Sequence, residues 1–412
     1  MKNKYKIILI AIFIIAILVR TIFICKTNIS EFQFDFGIEE LTSEVQYDNL
    51  YENFDKEPNT GRHINYIMQL YTYNSLPNKI IGQFYHPPLH HFIMSTWLKI
   101  ADNIFDMSST RFESMQFITL IYSIIILVAL YKLLDELNIE DKSKILPMLL
   151  FAFYPLYIFL SGSLNNDELV TMFSILALLY LVKWEKKPTM KNAVIIATCI
   201  GLGLMTKTSI AVIAIPTVYV YFKKLGEFVK QEKSVKGLLI QLLVFSIISI
   251  TLGVWFQFRS LANGLYTLGI IEPYEYLSIA DRSLWERFGI SNILNTSFIN
   301  IWSYLIYSSL NFYIMTSENI MYNLIMAVLV IILAIDTIYF MIKNQCKDKI
   351  LLITFISWWI SYFYLNISMP YTCSMHSRYM VVPISIGIAY LGLGMKDEKN
   401  KIIKIQVYAS VI

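Results

Sequence analysis

The chain is built from apolar runs separated by short clusters of lysine. Each run is roughly 15 to 25 residues long, the length needed to cross a hydrocarbon core of about 30 Å. Inside lipid every backbone N–H and C=O must be satisfied within the protein, so such runs must be helices or closed barrels. They lack the strict alternation of a barrel strand and read as helices. Composition agrees. The chain has 412 residues, 56% hydrophobic and only 16% charged, with a mean hydropathy of +0.54; a soluble domain is nearer about 25% charged. A soluble enzyme, a disordered tail and a nucleic-acid binder are excluded. The expectation is an all-α polytopic membrane protein, a single integral membrane domain over 1–412.

Ten spans are expected, at about 6–25, 113–134, 145–161, 168–183, 192–206, 208–222, 237–257, 319–342, 350–368 and 379–395. The first follows the basic start MKNKYK, and its apolar core is too long for a signal peptide. Two large loops remain, 26–112 and 258–318. The second contains 298–315, which reads as a further interfacial or re-entrant piece. Sidedness turns on 86–105 (HPPLHHFIMSTWLKIADNIF). Leu89, Phe92, Ile93, Trp97, Ile100 and Ile104 share one helical face, with His91, Ser95, Lys99, Asp102 and Asp106 opposite. That pattern predicts an amphipathic helix lying in the interface rather than crossing. With that assignment, nineteen lysines between spans, from Lys132 to Lys404, fall on the cytoplasmic side, as the positive-inside rule requires. The loop Lys26–Arg111, with eleven acids against six bases, then lies outside, and the N-terminus inside.

Ionisable groups near a membrane are costly and invite explanation. The topology gathers Asp35, His86, His90, His91, Asp167, Glu168, Lys207, His376 and Arg378 into one outer layer, although the sequence scatters them. Each has a structural alternative: Asp35 as a solvated loop acid, the histidines at headgroup level, Asp167 and Glu168 as partners of a helix dipole, Lys207 snorkelling to the interface. Together, cations at one depth with a carboxylate above them form a site for a phosphate with a base nearby. No HExxH, GxSxG or Walker motif occurs, and GLGLMT (201–206) reads as close helix packing. The four cysteines, Cys25, Cys199, Cys346 and Cys373, form no CxxC pair. They give no zinc signature, and spacing alone leaves a Cys25–Cys373 bridge open.

Six stretches in this order carry a resemblance: FQFDFG around Asp35, GRHINYI (61–67), QFYHPPLHHF (83–92), SLNNDELVTMF (163–173), GLGLMTKTSIAVIAIP (201–216) and SRYMVVP (377–383). The chain resembles the phospholipid-carrier-dependent glycosyltransferases of the GT-C fold, family 39 type, similar to protein O-mannosyltransferases and the lipid A aminoarabinose transferase. The resemblance spans about residues 5–260 well and the remainder loosely. It implies a cell-membrane enzyme that moves a hexosyl or pentosyl group from a polyprenyl-phosphate carrier to a protein, lipid or glycan acceptor on the external face, with inversion. It further implies Asp35 as the catalytic base and Lys207, Arg378 and His86 as ligands of the donor phosphate. Glu39, Glu40, His63, His90, His91, Asp167, Glu168 and His376 are the remaining candidates for substrate contact or support. Many relatives carry an Asp-Glu pair in the first loop. Here Phe36 and Gly37 follow Asp35, and Glu39 and Glu40 come one turn later. No nucleotide cofactor is needed, and a divalent cation is left open. Two other classes share this substrate chemistry: a lipid-linked saccharide flippase or transporter, and a glycan polymerase or ligase.

Overall fold

The computed structural model describes residues 2–27, 63–77, 82–104, 112–264, 278–290, 299–310, 320–343, 348–398 and Val407. Among them there is no strand; an isolated antiparallel bridge joins Ser278 to Tyr371. The helices are α1 (Lys2–Lys26), α2 (His63–Tyr73), α3 (Leu89–Ile104), α4 (Gln116–Glu136), α5 (Asp141–Phe153), α6 (Pro155–Leu160), α7 (Asp167–Lys186) and α8 (Met190–Leu204). They continue as α9 (Ala214–Lys230), α10 (Lys236–Gly253), α11 (Trp255–Ala262), α12 (Leu284–Phe288), α13 (Ile301–Leu310), α14 (Ile320–Lys343), α15 (Lys349–Ser368) and α16 (Val381–Asp397). Six described stretches are long and apolar enough to cross a membrane: Lys4–Lys26, Glu113–Glu136, Thr208–Lys230, Lys236–Gly253, Lys349–Ser368 and Thr372–Lys396. The protein is an all-α polytopic membrane protein.

Helix occupies every one of the ten expected spans, with local departures that have physical causes. The run expected at 145–161 is two helices. Tyr154 adopts an extended conformation (ψ 125°) because Pro155 follows it, and the pyrrolidine ring disfavours the helical region for the preceding residue. Pro155 then serves as the first residue of α6, where its missing N–H costs nothing. The run expected at 208–222 opens as a 3-10 turn over Thr208–Ile213 before α9, and the last span is preceded by two such turns, Thr372–Met375 and Ser377–Met380. The piece expected at 298–315 contains α13.

The helices divide by environment. On α1, Leu9, Ile12, Ala16, Arg20 and Ile24 form a buried ridge, while Ile7, Ile10, Ile14, Leu18 and Ile22 stay exposed. Those exposed isoleucines and leucine are a face for lipid. By contrast α7 is buried over most of its length, Asp167 and Glu168 included, and only its far end, with Lys183, Glu185 and Lys186, reaches the surface.

The chain forms two compact units, one of residues 20–125 and 160–274, the other of residues 1–19, 126–159 and 275–412. In the first, α7, α8, α9, α10 and the 3-10 turn at 208–213 pack together, and α2 packs on α3. In the second, α16 packs against α5, α14 and α15, and α13 against α14. The α8–α10 crossing is set by glycine. A Cβ on Gly253 would lie 2.9 Å from the Leu204 Cβ and 3.3 Å from the Gly201 Cα, so only glycines permit this approach. GLGLMT is therefore a packing element, as its sequence reading holds. Cys25 is an exposed free thiol and Cys199 a buried one.

Candidate active site

The site is built by three loops of the first unit. The loop 163–167 leads into α7. Asn165 donates from Nδ2 to Ser163 Oγ at 2.9 Å, and its Oδ1 accepts from the Asp167 N–H at 3.0 Å. The loop 205–207 leaves α8, closed by N–H bonds from Met205 to the Gly201 carbonyl (3.1 Å) and from Lys207 to the Gly203 carbonyl (2.8 Å). Asn166 ties the two loops by donating from Nδ2 to the Thr206 carbonyl at 3.0 Å. The third loop, 86–88, opens α3, where Pro87 and Pro88 precede the first turn.

The result places Asp167 at the N-terminus of α7 and Lys207 just past the C-terminus of α8. Each charge suits the dipole of its own helix end, and the two side chains form an ion pair. Only 12% of the Lys207 side chain and 5% of that of Asp167 are exposed, so water screens the pair weakly. Lys207 thus does not stand as a lone snorkelling cation: its ammonium has a buried carboxylate as partner.

Glu168, one residue on, is wholly buried, and the Ser123 hydroxyl faces its carboxylate. The charge of Arg20 acts on it. Arg20 is fully buried in α1 and donates from Nε to Ser123 Oγ at 3.1 Å. The sequence reading names Glu168 but misses Arg20. The signals were present: an arginine inside the first apolar run, and Gln116, Thr119 and Ser123 along one face of the second. Thr119 Oγ1 donates to the Ser161 carbonyl at 2.7 Å, and Gln116 Nε2 to the Gly162 carbonyl at 3.1 Å.

Four of the five histidines cluster in this unit. His63 Nδ1 and His91 Nε2 share a hydrogen bond of 2.9 Å. The His91 ring stacks on Tyr66 at 4.1 Å and on His63 at 5.2 Å, and His63 stacks on His86 at 5.6 Å. Among the described residues no group of three or more His, Cys, Asp or Glu is disposed to hold a metal ion. Burial pushes His90 down to about 4, and His91 well below the usual histidine range with help from the neighbouring His63 and His90, so both are neutral near pH 7.

The face of α3 turned to protein differs from the simple amphipathic expectation. His90, His91, Met94, Ser95, Leu98 and Ala101 are buried, whereas Phe92, Ile100 and Ile104 are exposed. The polar face packs on α2, where Lys99 bonds Asn74 and Tyr71 donates to Asp102 at 2.6 Å. His90 and His91 are therefore interior, against the alternative that sets the histidines at headgroup level.

In the second unit, His376 is buried and its Nδ1 accepts from the Arg378 N–H at 3.0 Å, capping the turn that leads into α16. Arg378 is half-buried, and its guanidinium donates to Tyr379 Oη at 3.1 Å and lies over the Tyr379 ring. Asp35, Glu39 and Glu40 lie outside the described residues.

The segment that holds the three loops is also the one that compares with known proteins. Residues 85–250 match the family of dolichyl-phosphate-mannose-protein mannosyltransferases. The match runs from the residue before His86 to the last turn of α10, and so takes in Asp167, Glu168 and Lys207. It is less than half of the chain. It supports, in general terms, a glycosyltransferase that uses a polyprenyl-phosphate sugar. Curated proteins give no match. The mannosyltransferase-like segment is thus the part of the chain in which fold, buried charge and family agree.

Proposed function

We propose that the protein transfers a sugar from a polyprenyl-phosphate carrier to a protein, lipid or glycan acceptor on the outer face of the cell membrane, inverting the anomeric centre. The observation that carries this reading is the buried Asp167–Lys207 pair inside the mannosyltransferase-like segment. A cation held in a water-poor site is suited to a phosphate, because charge interactions there are weakly screened. In this reading the carboxylate of Asp35 takes the proton of the acceptor hydroxyl. The freed oxygen attacks the anomeric carbon from the face opposite the phosphate. The bond from that carbon to the phosphate oxygen breaks, and its electron pair leaves on the polyprenyl phosphate. Lys207 and His86 bind that phosphate and offset the charge that develops on it. Asp167 holds Lys207 in place between turnovers. The N-terminus and the lysine clusters lie on the cytoplasmic side in this arrangement, by the positive-inside rule.

The test is product analysis with a radiolabelled polyprenyl-phosphate sugar in proteoliposomes, comparing the parent protein with Asp35→Asn. Transfer of label to an acceptor is expected, with a loss of about 10²- to 10⁴-fold in the variant. Movement of intact labelled carrier across the bilayer without transfer would establish the flippase reading instead. Near-normal transfer in the variant would remove Asp35 as the base.

A further inference from the structure

The first turn of α3 touches both loops that carry the ion pair. The Leu89 N–H donates to the Met205 carbonyl at 2.9 Å, two residues before Lys207. The next residue, His90, bonds through Nε2 to the Leu164 carbonyl at 2.6 Å, three residues before Asp167. A carbonyl only accepts, so Nε2 carries the proton. His90 Nδ1 has no partner among the described residues and is buried, which suits the lone pair of the neutral tautomer. The His90 side chain is wholly buried, so a missing donor there would leave the Leu164 carbonyl short of a bond with little water to replace it.

We propose that His90 is a positioning residue: donation from its Nε2 holds the 163–167 loop against the first turn of α3, which in turn holds 205–207, so that Asp167 and Lys207 stay in register. Two adjacent residues of one helix start therefore fix both ends of a pair whose members are separated by forty residues of sequence. The role differs from acid–base catalysis or phosphate contact, because His90 acts only through backbone carbonyls. Its consequence for sugar transfer rests on the function proposed above; its consequence for Lys207 does not.

The test uses two substitutions that separate shape from donation. Glutamine places an N–H donor near the position of Nε2, and His90→Asn places its amide near Nδ1 and withdraws that donor from the Leu164 carbonyl. The full chain in detergent is treated with an acetylating ester, and the acylation rate of Lys207 is read by mass spectrometry. His90→Asn is expected to raise that rate about fivefold over His90→Gln, the effect of a hydrogen bond worth roughly 1 kcal/mol. Donor KM in the radiolabel assay is expected to rise by a similar factor in His90→Asn relative to His90→Gln, with kcat changing less. Equal Lys207 rates in the two variants would overturn the proposal, whether both match the parent or both exceed it. If His90→Asn does not fold, ¹⁵N-histidine labelling of the parent protein decides, with His90→Gln assigning the resonance. Protonated Nε2 with bare Nδ1 near pH 7 supports the proposal, and the opposite tautomer sinks it. A parent protein that transfers no sugar while the Lys207 rates differ as expected would defeat the functional reading and leave the positioning role standing.

Discussion

Replacing Lys207 by methionine keeps most of the side-chain length and removes the charge. Asp167, with its side chain only 5% exposed, is then left as a buried carboxylate without its ammonium. Removing one member of a buried pair typically costs about 3–5 kcal/mol, because the remaining charge must be neutralised or carried uncompensated. Lys207→Met should therefore destabilise the protein by that amount, and Asp167→Asn by a similar one. Removing both charges together leaves no orphan. Lys207→Met/Asp167→Asn should lie within about 1–2 kcal/mol of the parent, which by the same figures makes the coupling energy between the sites roughly 4–9 kcal/mol. Cys199 supplies the assay: its thiol is buried in α8, so its reaction with a thiol-reactive dye during SDS or thermal unfolding reports opening of this unit. The same double variant separates folding from function, since it should recover stability and still bind the donor phosphate poorly. A Lys207→Met cost below about 1 kcal/mol, or a double variant as unstable as the worse single, would refute the view that this pair is buried and tightly coupled.

Two further outcomes follow from packing and titration. Gly253→Ala should destabilise by about 1–3 kcal/mol through overpacking, since the added Cβ meets the Leu204 Cβ at 2.9 Å; unfolding of the purified variant checks this, and a neutral result would mean that the α8–α10 crossing is looser than it is drawn. For His90, the native value of about 4 lies below the usual 6.5, so between those values the unfolded chain holds the extra proton. Stability should fall as pH drops through that window, by about 1.4 kcal/mol between pH 7.5 and 5.5 from His90 alone, and His90→Gln should lose less on the same titration.

Much of the architecture was legible from the residues. Lipid forces helices on long apolar runs, so all ten expected spans fall on helix, and Pro155 marks by its own chemistry where one run must break. The glycines of GLGLMT announced a close crossing. The site was legible as a set of residue types but not as a set of partners. The separation of Asp167 from Lys207, and of Arg20 from Glu168, is bridged only when helix ends and faces meet, and no local pattern encodes which cation takes which carboxylate.

The amphipathic helix α3 shows where the boundary lies. Sequence alone determined that 89–104 is a helix with a polar and an apolar face, because period and composition are local properties of the chain. Tertiary structure decided which face is interior. In water an apolar face must be buried against protein. Beside lipid the same face is free to look outward, and Phe92, Ile100 and Ile104 do so. The polar face, which lipid would not accept, is then the one that packs on α2, and it carries His90 and His91 into the protein, where their hydrogen bonds hold helix to helix and loop.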